Sequence, residues 1–259
     1  MAANHNNALH LLQITDTHLS ADPGQTLNSV NTDQSLRSVI RHINRNRPNA
    51  DYVLATGDLA HDGSARTYTR LHRHLATLNV PVVCLAGNHD DVALLQSTLT
   101  GANISCSRHI SRRHWQIILL NSVVPGHSAG HLMQTELDFL QQQLQSQPHQ
   151  FALVCLHHHP ITIGSPWMDR MGLDNGKQLL RLVSEYPQVR AILWGHVHQE
   201  YDRSQQGVRL LASPSTCIQF APLSAAFALD ENPPGYRWID LYADGSLATG
   251  IEWIADIGM

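Results

Sequence analysis

The amino-acid sequence predicts a layered α/β sandwich built as a single domain over residues 1–259. Three observations predict it. Short apolar runs alternate with helical periods along the first three quarters of the chain, and from about residue 199 short strands with turn signals take over. No internal repeat, linker or low-complexity stretch divides the chain. Hydrophobic residues make up 42% and charged residues 15%, enough apolar material for a sizeable core.

The strands come first. Apolar runs stand at 9–14 (LHLLQI), 52–55 (YVLA), 80–86 (VPVVCLA), 117–120 (IILL), 151–156 (FALVCL) and 191–194 (AILW). They are β-branched or leucine-rich and end in glycine or polar residues, as buried strands do. The helices lie between them. Leu36, Val39, Ile40 and Ile43 mark one apolar face, and Tyr68, Leu71, Leu75 and Leu78 mark a second. Leu137, Leu140 and Leu144 form a third, with Thr135 as its cap. A fourth covers about 175–185, with Leu179, Leu182 and Val183. Beyond it, QQG and ADG punctuate the β-rich tail.

Charge and cysteine usage narrow the function. Lys+Arg 17 against Asp+Glu 21 gives a formal charge of -4, which excludes the basic footprint of a general nucleic-acid binder. Cysteines 84, 106, 155 and 217 form no CxxC pair, and Cys84 and Cys155 sit inside apolar runs as reduced, buried thiols would. The apolar stretches fall far short of the ~18 residues of a membrane span. The start, MAANHNNALHLLQITD, has neither a basic segment nor a cleavage site. A soluble, cytoplasmic protein is expected, with no membrane, nucleic-acid or protein partner. The 18 histidines outnumber lysines and arginines together, which raises a metal hypothesis that only their positions can decide.

Those positions are ordered. Five of the six apolar runs lead directly into metal-binding residue types: Thr15-Asp16-Thr17-His18, Gly57-Asp58, Gly87-Asn88-His89-Asp90, His157-His158-His159-Pro160 and Gly195-His196-Val197-His198. In open α/β sheets, sites form outside the carboxyl ends of strands, where loops from several strands converge. Each piece alone has a bland reading. An Asp before a helix is usually a cap, an isolated HxH is usually surface, and a histidine triple can be an accident of composition. The bland readings do not account for five such strand ends in order.

This series resembles the calcineurin-like metallophosphoesterases, whose motif set is DxH, GDxx[DN], GNH[DE], a strand-end His and GHxH. All five blocks stand in order between residues 16 and 198, and GDLAHD at 57–62 and GNHD at 87–90 match without departure. The resemblance implies a four-layer α-β-β-α sandwich and a two-metal site. Asp16, His18, Asp58 and His198 would hold one divalent ion, and Asp58, Asn88, His157 and His196 the other, with the Asp58 carboxylate bridging. The arrangement is chemically sensible. A carboxylate has two oxygens to share, and two dications against two ligand carboxylates leave a net positive field suited to a phosphate. The nitrogen and oxygen donor set, with no thiolate, suits Fe²⁺ or Mn²⁺, with Zn²⁺ also compatible.

A narrower resemblance lies within that family. LQITDTHL (12–19), LHHHPITIGSPWMDRMGLDN (156–175) and LLASPSTCIQF (210–220) are similar to the bacterial class III cyclic-nucleotide phosphodiesterases. The GDYVDRG and GNHE blocks of the Ser/Thr protein phosphatases are absent. The resemblance implies hydrolysis of 3',5'-cyclic AMP to 5'-AMP, with a hydroxide bridging the two ions as nucleophile. It implies Asp58 and His89 as the catalytic residues, with His89 assisting departure of the 3'-oxygen. His18, Asn88, His89, His157 and His198 would border the substrate, and Trp167 or Phe220 could stack on its base; core packing is the alternative for both. Two other readings stand beside this one: a phosphodiesterase or nuclease of broader specificity, and a non-catalytic scaffold of the same fold. His158 and His159 are either supporting donors or part of the turn before Pro160. His61, inside the GDLAHD loop, lies closest to Asp58 among the remaining histidines. Asn121 departs from the expected Asp after the run WQIILL and bears on local loop structure.

Overall fold

The computed structural model describes residues 8–255. Two six-stranded sheets face each other. The first runs in the order Leu247–Trp253, Gly235–Leu241, Leu9–Ile14, Tyr52–Thr56, Val82–Leu85, Ile104–Ser105. The second runs Tyr201–Gln205, Val208–Ala212, Val189–Trp194, Phe151–Cys155, Trp115–Leu119, His109–Arg112. All six apolar runs of the sequence are strands of these sheets, and they occupy the interior positions.

Three apolar clusters separate the layers. Between the sheets, Leu9, Leu11, Leu54, Val83 and Leu85 meet Trp115, Ile117, Leu153, Ala191, Leu193 and Leu211. Outside the first sheet, Leu36, Val39 and Ile43 of the helix Thr32–Asn46 and Tyr68, Leu71 and Leu75 of the helix Ala65–Leu75 cover Ile14, Val53, Ala55 and Val82. Outside the second, Leu137, Leu140 and Leu144 of Gln134–Ser146 and Leu179 and Val183 of Gly176–Ser184 cover Val154, Ile192 and Trp194. Because successive side chains of a strand point to opposite faces, a strand buried on both reads as a continuous apolar run. The layers are therefore α-β-β-α.

One local expectation is corrected. The helix over 134–146 is preceded by Met133 at its N-cap, without a side-chain cap, and Thr135 lies inside the first turn. Its entry is set from a distance instead. The Asn175 side chain accepts from Leu132 N at 3.0 Å and donates to Leu132 O at 2.9 Å. All four cysteines are free. Among the described residues, no helix is long and apolar enough to cross a membrane.

Within the first sheet, Leu9–Ile14, Tyr52–Thr56 and Val82–Leu85 are parallel; within the second, Trp115–Leu119, Phe151–Cys155 and Val189–Trp194 are parallel. Their carboxyl ends open on one edge of the sandwich, and the loops that follow them meet there.

Candidate metal centre

The loops at this edge are tied together by backbone bonds within the first sheet and by a side-chain bond across to the second. Asp16 N donates to Gly57 O at 2.9 Å, His18 N to Asp58 O at 2.9 Å, and His196 N to the Asp16 carboxylate at 3.0 Å. The turns that deliver these side chains are tight. Asp16, His18, Asp58, His196 and His198 all have left-handed backbone, with φ of 54°, 42°, 48°, 66° and 46°. They are half of the ten non-glycine residues with positive φ among those described. L-residues take this conformation at a cost, and such strain concentrates at functional sites. Two glycines let the loops close: a Cβ on Gly57 would lie 2.7 Å from His157 Cγ, and one on Gly87 would lie 2.7 Å from His157 Nε2.

Asp58 is at the centre. Its Oδ1 is 3.3 Å from His157 Nε2, and its Oδ2 is 3.8 Å from His18 Nε2. Asp16 Oδ1 lies 3.4 Å from His198 Nε2 and 4.0 Å from His157 Nε2. His18 Nε2 and His198 Nε2 face each other at 3.2 Å. Carbonyls fix two of the rings from behind. His157 Nδ1 donates to Thr56 O at 2.9 Å and His198 Nδ1 to Ile218 O at 2.8 Å, which turns each Nε2 inward as the ring nitrogen that a metal would take.

The electrostatics are those of a site short of positive charge. Burial alone would raise the Asp16 and Asp58 carboxyls, but His198 and His157 respectively outweigh it and hold both below the usual range. Burial pushes His157 down, yet Asp58 and then Asp16 outweigh it and lift the ring to about 9. His18 falls to about 3 and His196 well below its ordinary value, in both cases mainly through burial. A site that draws a proton onto one imidazole between two carboxylates is suited to a cation.

Orphaned atoms make the same point. Asn88 Oδ1, His157 Nε2 and His196 Nε2 are buried with no hydrogen-bond partner. Leaving such atoms unsatisfied costs about 1–3 kcal/mol each, and a metal ion would satisfy them. Asp16, His18 and His198 bring ligand atoms within 4.8 Å of one another, as do Asp16, Asp58 and His157. The donor set fits divalent ions.

His89 is placed differently. It is exposed, its N–H donates to Asp58 Oδ1 at 2.9 Å, and its ring Nδ1 donates to His61 O at 3.2 Å. Nε2 is thereby left for the open side. His61 is half-buried, stacked on His89 at 5.0 Å and 3.3 Å from His18 Nδ1. Trp167 does not reach the cluster itself. It sits 5.1 Å from Phe220, whose ring stacks on His198 at 4.1 Å and 11°.

His158 and His159 are buried, and their burial lowers them to about 3 and about 4. His158 is held through Nδ1 by Ser122 Oγ at 2.7 Å, while its Nε2 and both nitrogens of His159 have no hydrogen-bond partner. With His157 and His196, His158 forms a further close group. Asn121 Oδ1 accepts from Val123 N at 3.1 Å, a loop role, as its position beside Ser122 suggests.

Sequence reasoning gave Asp90 no role beyond its motif. Its carboxylate accepts from Gly87 N, Leu59 N, Ala60 N and Tyr68 OH at 2.8–3.1 Å, tying the Asp58 loop to the Asn88 loop. Burial and the Asp58 charge push it up to about 6. Ser215, also missed, donates to Asp16 O at 2.8 Å. The motif GNHD signalled the first, and the second lies in the stretch LLASPSTCIQF, whose resemblance assigns no role to this serine.

A model of the calcineurin-like phosphoesterases matches residues 9–200. The chain belongs to this family. It is 44% identical over 247 residues to the 3',5'-cyclic adenosine monophosphate phosphodiesterase CpdA of Pseudomonas aeruginosa, covering 95% of this chain and 90% of that protein. It is 39% identical over 244 residues to a 3',5'-cyclic-nucleotide phosphodiesterase of Nostoc sp., covering 94% and 92%. Among solved structures, a dimetal phosphatase from Danio rerio superposes with a TM-score of 0.64 at 16% identity, covering 96% of this chain and 100% of that one. A purple acid phosphatase from yellow lupin superposes with a TM-score of 0.68 at 15% identity, covering 97% and 52%. At those identities the structural likeness speaks to the fold, and it agrees with the α-β-β-α family architecture.

Proposed function

We propose that this protein hydrolyses the cyclic phosphodiester of 3',5'-cyclic AMP to 5'-AMP, in the cytoplasm, as one domain spanning residues 1–259. The observation that carries the reading is the position of Asp58. Its two oxygens face different histidines, His157 and His18, at the centre of a buried nitrogen and oxygen cluster. Cyclic-nucleotide phosphodiesterases at 39–44% identity over nearly the whole chain supply the substrate class.

In this reading Asp16, His18, Asp58 and His198 hold one divalent ion, and Asp58, Asn88, His157 and His196 the second. The donor set suits Fe²⁺ or Mn²⁺, and Zn²⁺ is compatible. Bound there, such ions supply Lewis acidity toward phosphate oxygens and make water acidic enough to act as a nucleophile near neutral pH.

The protein's own residues do the rest. Thr56 O and Ile218 O hold His157 and His198 in the tautomer that presents Nε2. His18, Asn88, His157 and His198 border the phosphate. Water adds to phosphorus and gives up a proton as the bond to the 3'-oxygen breaks, and His89, acting as the imidazolium with Nδ1–H on His61 O, delivers its Nε2 proton to that oxygen. Its Nδ1 is engaged by His61 O, which aims Nε2 away from the core. Trp167 belongs to the base side of the site.

A substrate panel on metal-reconstituted protein tests the reading: cyclic AMP, cyclic GMP, a 2',3'-cyclic nucleotide, a linear diester and a monoester. Higher kcat/KM for cyclic AMP than for the linear diester is expected. Equal or better use of the linear diester would establish a broader phosphodiesterase instead.

A further inference from the structure

Beside the candidate metal centre stands an apolar hairpin that its chemistry has not yet used. Gln219–Phe220 pairs with Leu229–Asp230, and residues 221–228 form the loop between them. Its root is fixed to a proposed metal ligand twice over. Phe220 N donates to His198 O at 3.2 Å, and His198 Nδ1 donates to Ile218 O at 2.8 Å. From that root, Phe220 lays its ring flat on the His198 imidazole.

The next ring out is Phe227. It meets Phe220 edge-on at 5.5 Å and Trp167 edge-on at 5.4 Å, while Trp167 and Phe220 meet at 5.1 Å. Trp167 and Phe220 are half-buried and pack against the outer core, whereas Phe227 is 53% exposed. Large aromatic side chains gain by burying their rings, so an exposed one held by two half-buried neighbours is a site waiting for cover. Leu223 and Leu229 extend the same apolar surface. Residues 219–229, QFAPLSAAFAL, carry no charge. Such a surface suits the neutral, flat end of a nucleotide, while the phosphate goes to the cationic centre next to it.

We propose that Phe227 is the platform on which the nucleobase of the substrate stacks, held in place by Trp167 and Phe220. The proposal rests on the cyclic-nucleotide reading above and adds the residue that receives the base. Stacking on a single face recognises any purine, so cyclic AMP and cyclic GMP share the subsite. The hairpin root links base and phosphate recognition, because His198 borders the phosphate and carries Phe220, which in turn supports Phe227.

The test compares Phe227→Ala, Phe227→Leu, Phe227→Tyr and Phe227→Trp with the native protein, all metal-loaded. The substrates are cyclic AMP and a base-free cyclic diester, trimethylene phosphate. Light scattering records the oligomeric state of each. Base stacking on one aromatic ring is worth about 5- to 150-fold by alanine substitution. The Ala and Leu variants are expected to raise KM for cyclic AMP by about tenfold or more, with kcat unchanged and the base-free diester unaffected. Tyr and Trp restore KM, since they keep the flat face. An unchanged KM in Phe227→Ala, or an equal change for the base-free diester, overturns the proposal while the cyclic-nucleotide reading stands. A native dimer that Phe227→Ala dissociates assigns the hairpin to a second copy and also overturns it. A native protein with no turnover of cyclic AMP overturns both.

Discussion

His157 Nδ1 is bonded to the Thr56 carbonyl at 2.9 Å, and this single contact turns its Nε2 onto Asp58. Thr56 ends one strand of the first sheet and His157 follows a strand of the second, so the bond ties the two sheets together at the site. It also separates His157 from its neighbour. His158 spends its Nδ1 on Ser122 Oγ and approaches the site from the loop side. His157→Ala should therefore lower the affinity for one ion by well over about 100-fold, and His158→Ala by about 10- to 100-fold at most, the usual range for supporting residues. Metal titrations of the two variants check this, and the reverse order would put the ligand one residue later.

Asp58 serves both halves of the site. Asp58→Asn keeps the shape and the acceptor for His89 N but removes the charge. Both ions should then bind weakly, and elemental analysis should find less than one per chain after gel filtration. Two retained ions with near-native turnover would refute the bridging role.

Unlike the proposed metal ligands, His89 is exposed, and its Nδ1 is engaged by His61 O. General acid assistance is typically worth about 10²–10⁴-fold, and a ribose alkoxide needs it far more than a phenolate. His89→Ala should lower kcat for cyclic AMP by that order and leave hydrolysis of an aryl diester much less affected, at matched metal occupancy. Equal losses on the two substrates would show that His89 holds phosphate oxygens and does not donate the proton.

Metal removal should loosen the fold at this edge. The site holds buried atoms without partners and five residues of left-handed backbone, and a bound ion relieves the first of these. A ligand at 100 times its Kd stabilises by about 2.7 kcal/mol. Chelation should lower the melting temperature by several degrees and Mn²⁺ should restore it, whereas Asp58→Asn should show neither effect. A melting temperature indifferent to metal would contradict the fit of the cluster to an ion.

Much of this was legible in the sequence, for a physical reason. Strands buried on both faces must be apolar throughout, so LHLLQI, FALVCL and AILW announce themselves. The polar residues that follow, such as Asp16, His157 and His196, must then sit at the edge. Backbone hand was not legible. Asp58 and His198 carry no mark of positive φ, because apolar pattern reports burial and says nothing of a turn's handedness. Thr135 misled because a tertiary clamp from Asn175 replaced the local cap. Phe227 reads in the sequence as an ordinary loop residue. Its meaning comes from Phe220 and Trp167, brought to it by a hairpin and by a short helix some sixty residues earlier.

The most direct measurement is the identity of the product formed from cyclic AMP by the metal-loaded protein. The account predicts 5'-AMP as the only nucleotide product, with turnover abolished by a chelator and restored by Mn²⁺ or Fe²⁺. Formation of 3'-AMP, or no turnover at full metal occupancy, would contradict it.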